Sequence, residues 1–138
     1  MQNDGLSFLE ITLTILIISI VATIGILKYT TNQEHALKTT LSTNLSDLRQ
    51  AISLYHLKNE TYPTSSQLVN QFLEGHFPIN PINKNSSICV ADNAQANSRT
   101  KPQDGCGWAY YQGSSTIRPI IYAASNYQFS DGVSANNL

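Results

Sequence analysis

Residues 6–27 read LSFLEITLTILIISIVATIGIL, an apolar run that carries one carboxylate, Glu10. As a helix, 22 residues extend about 33 Å at 1.5 Å per residue, enough for a hydrocarbon core of about 30 Å. A carboxylate inside such a span costs on the order of 2.5–3.5 kcal/mol at the bilayer centre, so a chain that keeps one there uses it. Thr12, Thr14, Ser19 and Thr23 are the other polar groups, and their hydroxyls can bond back to the helix backbone. Gly25 and Ser19 allow close approach of a neighbouring helix. A secretory signal has a basic start, a shorter apolar core and a small-residue cleavage site behind that core. Here no Lys or Arg precedes Lys28, no such site follows, and a small residue, Gly5, stands in front of the run instead. A plain signal anchor holding one domain at the membrane is the simplest alternative.

Behind the run, about 108 residues remain, enough for one modest core. They are polar, rich in Asn, Ser, Thr and Gln, and the formal charge of the chain is -1. That charge gives no reason to expect nucleic acid as a partner. Leu37, Leu41, Leu45, Leu48, Ile52 and Tyr55 recur at spacings of three and four, one apolar stripe on a continuing helix. No proline interrupts before Pro63, so a single helix from about Leu6 to Lys58 is expected, roughly 80 Å long. Its second half is one-sided and must bury its stripe. A coiled coil is the alternative, but the stripe lasts little more than two heptads and a globular-looking region follows.

Pro63 closes the helix, and 64–66 offer an N-cap for a short helix at about 66–73, terminated by Gly75. Pro78, Asn80, Pro81, Asn83 and Asn85 make a loop. The tail reads as β, with candidate strands at 87–90, 107–111 and 117–123 and a weak one near 127–129. Gln112-Gly113-Ser114 supplies a turn. The expected fold class is therefore α+β: a long N-terminal helix packed against a small antiparallel sheet, with Trp108, Tyr110, Ile120 and Tyr122 as its apolar face. Residues 92–104 hold almost nothing to bury and read as an exposed loop. The two cysteines, Cys89 and Cys106, read as a disulfide across that loop in an oxidising compartment. Two buried free thiols are the alternative. No cofactor or metal is expected: there is no phosphate loop, no catalytic Ser/His/Asp pattern and no ligand cluster. Asp131-Gly132 alone is too little to claim calcium, and His35, His56 and His76 are far apart. The chain does not read as an enzyme.

The segment GLSFLEITLTILIISIVA, from Gly5 on, resembles the start of type IV prepilins and pseudopilins. Gly5, Leu6 and Glu10 match that pattern position by position, although Leu6 stands where Phe is commoner. The leader also lacks a basic residue, and no kink-forming proline appears near Leu27. A second, shorter resemblance lies in the helix end, Tyr62-Pro63 and short helix, similar to major pseudopilins of type II secretion and several type IV pilins. The resemblance implies a leader at 1–5, a transmembrane and assembly helix at 6–30, and a pilin domain at 31–138. That domain would comprise the helix half 31–58, the short helix and the β region 87–130. It also implies cleavage between Gly5 and Leu6 by a prepilin peptidase, and N-methylation of Leu6. Glu10 would then meet the Leu6 amine of a neighbouring subunit. The implied partners are further copies of the chain, other pilins and the inner-membrane assembly platform. The implied location is the inner membrane as precursor, then an extracellular pilus or periplasmic pseudopilus. A low-copy minor pilin serving adhesion or DNA uptake is the other functional reading.

Overall fold

A computed structural model describes residues 7–72, 77–102, 105–114 and 117–138. The chain forms two compact units, 1–35 and 36–138, and helix α1, Phe8–Asn59, contributes to both. The expected single helix is present, without a break at the change from apolar to polar composition.

In the second unit the stripe behaves as its spacing requires. Leu41, Leu45, Leu48 and Ile52 are buried and Leu37 is partly buried, all in one apolar cluster. Helix α1 ends where Glu60 turns left-handed (φ 58°) and its N–H bonds the His56 carbonyl at 2.8 Å. Pro63 follows and is buried. Helix α2, Ser65–Asn70, starts from a capping box: Thr64 accepts from the Gln67 N–H, and Gln67 accepts from the Thr64 N–H. It stops at Asn70, short of the expected 73, with Gln71 as C-cap; Gly75 lies outside the described residues.

The strands are β1 (Ile88–Val90), β2 (Trp108–Tyr111) and β3 (Ile120–Ala123), in the order β1-β2-β3. The sheet is not wholly antiparallel. Strands β2 and β3 are antiparallel, but β1 pairs with β2 in parallel. Parallel neighbours need a crossover of a dozen or more residues, and 91–107 provides it. That crossover is not a bare loop. It contains helix α3, Asn93–Ser98, capped by Asp92 and Gln95 in a second capping box, with Ala96 buried beneath it. The weak strand near 127–129 is a single bridge, Gln128 with Ser134.

Register also corrects the expected sheet face. Trp108 pairs with Ala123 and Tyr110 with Ile121, so Trp108, Tyr110, Ile121 and Ala123 point together into the α1 core. Ile120 and Tyr122 lie on the other face, with Ala109, Ala124, Ala91 and Cys106. Strands alternate with period two, and an antiparallel pair joins even to odd positions here, so the expected set of four mixed both faces. The Tyr122 hydroxyl donates to the main-chain oxygens of Gln95 (3.2 Å) and Thr100 (2.9 Å), pinning α3 to that second face.

The asparagine loop is built in rather than merely exposed. Asn80 is fully buried and gives its Nδ2 hydrogen to the Gly107 carbonyl at 2.7 Å. Asn83 donates to Cys106 O at 2.8 Å and Asn85 to Gly105 O at 2.7 Å. Three carboxamides thus clamp the strand that enters β2. Gly107 is required by the close approach: a Cβ there would sit 1.9 Å from the Asn85 oxygen. Gly113 (φ 87°) makes the expected turn after β2.

Candidate functional site

The first unit is a helix with its side chains outward. Phe8, Leu9, Ile15, Ile18, Val21 and Ile26 are each more than half exposed, far from what water tolerates on one face of a helix. The best membrane-length window within α1 has a mean hydropathy of 2.3 and is wholly unburied. The hydroxyls behave as expected. Thr12 donates to Leu9 O at 2.9 Å, Ser19 to Ile15 O at 2.7 Å and Thr23 to Ser19 O at 2.8 Å. Thr14 is shared between the Glu10 and Ile11 carbonyls at 3.0 and 2.8 Å. Each hydroxyl is satisfied inside its own helix, which makes the surface less polar than the sequence.

Glu10 is different. It lies in the first turn of α1, where the Ser7 carbonyl accepts from the Glu10 N–H (2.9 Å) and the Ile11 N–H (3.1 Å). A helix start favours a negative charge. Its carboxylate is exposed and makes no side-chain bond among the described residues. Gly5 and Leu6, expected to flank the cleavage point, lie outside the described residues. At Gly25 an added Cβ would meet nothing within 4 Å.

In the second unit Cys89 of β1 and Cys106, just before β2, form a disulfide with Cα atoms 5.8 Å apart. It joins parallel neighbours and closes the crossover that carries α3. Type II secretion protein G, a component of the type II secretion system, has a family profile that matches residues 28–114, more than half of the chain. The chain belongs to this family. The match runs from the end of the apolar segment through α2, the asparagine loop, the disulfide and β2. It bears out the expected kinship with pilins and pseudopilins, and the family is one of secretion-system structural proteins. Neither among curated proteins nor among solved structures is there a match.

Elsewhere the expected candidates are occupied. Asp131 is paired with Lys38 and also accepts from the Val133 N–H at 3.1 Å. The Lys38 bond, then the Val133 bond, hold its carboxyl below the usual carboxylate range. Among the described residues no group of three or more His, Cys, Asp or Glu side chains is placed to hold a metal. His56 stacks on Tyr62, ring centroids 4.2 Å apart. His76 lies outside the described residues.

A set of residues that the sequence does not advertise comes together in the second unit. Arg49 of α1, Arg99 at the end of α3 and Arg118 of the β2–β3 connection line one cleft of about 860 Å³. They are 50 and 19 positions apart, and no local pattern links them. The one available hint was their number, since the chain has no other arginine.

Proposed function

We propose that this chain is a subunit of a type II secretion pseudopilus, made as a precursor, cut between Gly5 and Leu6, and polymerised through the first part of α1. The observation that carries the reading is the outward apolar surface of that part together with its one uncompensated carboxylate, on a chain of the protein G family. Before assembly the lipid core covers Phe8 to Ile26. In the filament, neighbouring helices cover the same side chains. Cleavage would create an α-amine on Leu6, with an ordinary pKa of about 7.7–8, and Glu10 would neutralise the amine of an adjacent copy. An isolated buried ion is strongly unfavourable, and pairing relieves it. Only one axial offset between copies satisfies both charges, so Glu10 would set register. The inner membrane would hold the precursor, and the periplasm the assembled pseudopilus.

The experiment has two arms. Gly5→Val should leave only the longer precursor on a gel, because a branched side chain crowds the peptidase. Glu10→Val should be inserted and processed normally yet yield few or no filaments when the chain is overproduced. Normal filaments from Glu10→Val would overturn the register role, and unchanged processing of Gly5→Val would overturn the cleavage site. Long surface fibres in place of short periplasmic ones would reassign the chain to a type IV pilus.

A further inference from the structure

The arginine cleft lies within the second unit and is cationic in a chain that is otherwise close to neutral. The chain has nine acids against eight lysines and arginines, yet no Asp or Glu lines this cleft among the described residues. Lys38 shows how the fold treats a cation it neutralises itself, by pairing it with Asp131. The cleft arginines are left differently. Arg49 Nη2 donates to the main-chain oxygen of Leu138 at 2.8 Å. The guanidinium groups of Arg99 and Arg118 have no hydrogen bond or ion pair among the described residues. Arg49 has its pKa lowered, first by lost solvation and then by repulsion from Arg99, so the charges already oppose one another. Arg99 is the C-cap of α3 and its left-handed backbone, φ 49°, ends that helix, which fixes where its side chain leaves the chain. His56 lines the same cleft, and its Nδ1 is buried without a hydrogen-bond partner among the described residues.

The other walls are mixed: Leu57, Tyr62, Pro119 and Ile120 offer apolar surface, and Ser53 and Asn137 offer polar groups. A volume of about 860 Å³ falls within the range of roughly 300–1,000 Å³ that buries a ligand of drug size, and one inorganic anion would leave these walls wet. A guanidinium matches a carboxylate with two parallel bonds. We propose that this cleft binds an acidic segment of a partner protein. Arg99 and Arg118 each take a carboxylate, and an apolar side chain of the segment lies on Leu57, Pro119 and Ile120. Arg49 is committed to Leu138 and supplies field rather than a contact. The proposal does not depend on polymerisation and is tested on the unassembled chain.

The full chain is held in a neutral detergent and offered a dye-labelled pool of hexapeptides in which Asp or Glu alternates with Leu, Ile or Phe. A matched pool carries Asn and Gln instead. The acidic pool should raise the anisotropy and the amide pool should not. Arg99→Gln and Arg118→Gln should each weaken binding about tenfold, the size of one lost charge-assisted bond. Arg99→Lys, which keeps charge without the planar fork, should fall between, and Lys101→Gln should bind as the parent. Absence of binding, equal binding of the amide pool, or indifference to both arginine substitutions would overturn the proposal. Displacement of the peptide by inorganic phosphate at constant ionic strength would overturn it too, in favour of a simple oxyanion site. Preferential binding to micelles doped with phosphatidylglycerol would do so in favour of a membrane contact.

Discussion

Replacing Asn80 by alanine isolates the energetics of the loop that holds β2. The Asn80 main-chain bonds, from its N–H to Asn85 O (3.0 Å) and from the Lys84 N–H to its carbonyl (2.9 Å), survive the change. Two side-chain bonds do not. The Gly107 carbonyl loses the Asn80 Nδ2 donor but keeps the Ala124 N–H at 3.0 Å, so that loss is about 1 kcal/mol, the net value of one exchanged bond. The Ile82 N–H loses Asn80 Oδ1 at 3.0 Å, with no second acceptor among the described residues. A partly buried donor left unsatisfied costs about 1–3 kcal/mol. The sum is about 2–4 kcal/mol, a large share of the stability of a domain this size. Asn83→Ala breaks similar bonds, but the Asn83 side chain is exposed where that of Asn80 is fully buried, so a smaller loss of about 1 kcal/mol is expected. The assay is urea unfolding of the full chain in mild detergent with the disulfide intact. Trp108, the only tryptophan, reports directly: it is buried, and its Nε1 donates to Pro78 O at 2.7 Å. An Asn80→Ala loss no larger than that of Asn83→Ala would refute the assignment of buried-bond energy to this side chain. Asn80→Asp should be worse than alanine, because it sets a buried carboxylate against the Gly107 oxygen.

Three further outcomes are expected. Burial, then the nearby Tyr62, raises the Tyr110 pKa above its ordinary 10.0. The unfolded chain therefore releases that proton first, so stability present below pH 10 should fall as pH rises above it. Tyr110→Phe should flatten this alkaline slope in pH-dependent unfolding while losing the bond to Pro63 O at 2.8 Å. Replacing Cys89 and Cys106 together by serine should cost roughly 3 kcal/mol for the reopened loop in the same urea assay, and the parent should show no free thiol to non-reducing labelling. Gly107→Ala should be among the most damaging single changes, about 3 kcal/mol or more, since main-chain oxygen stands 1.9 Å from the new Cβ. Parent-like thermal melting of that variant would contradict the close approach.

Long-range consequences of strand order were the least legible part of the fold. Helix α1 could be read because Leu41, Leu45, Leu48 and Ile52 repeat its period, and the turn at Gly113 because glycine was the residue it needed. Whether β1 would lie parallel to β2 is decided by what the crossover holds, and that depended on α3. The signal for α3 was present: Asp92 and Gln95 stand three apart, as in the capping box that Thr64 and Gln67 form. The segment looked to have too little to bury, yet Ala96 of α3 is buried, and so is Ala91 just before it, on the second face of the sheet. Asn80 read as loop material because asparagine usually is. Only the tertiary approach of Gly107 turns it into a buried clamp. The arginine cleft is collected from α1, α3 and the β2–β3 connection, so no window of sequence contains it.

The proposed assembly places specificity and affinity in different parts of α1. Lipid tails are as apolar as leucine, so moving Ile15 or Ile18 from lipid to a neighbouring helix gains little from the hydrophobic effect. The hydroxyls add little discrimination either, since Thr12, Ser19 and Thr23 already bond within their own helix. The open space around Gly25 lets a neighbour approach closely, and the dispersion gained there is only about 0.1–0.2 kcal/mol per atom pair. Glu10 is then the group in this segment whose free energy changes steeply with the offset between copies. A carboxylate one helical turn out of register sits about 5.4 Å from its partner, unpaired in an apolar setting. Under that proposal, the cost of such a misplacement is what would make one stacking unique, and it would account for an acid kept in a membrane-length segment.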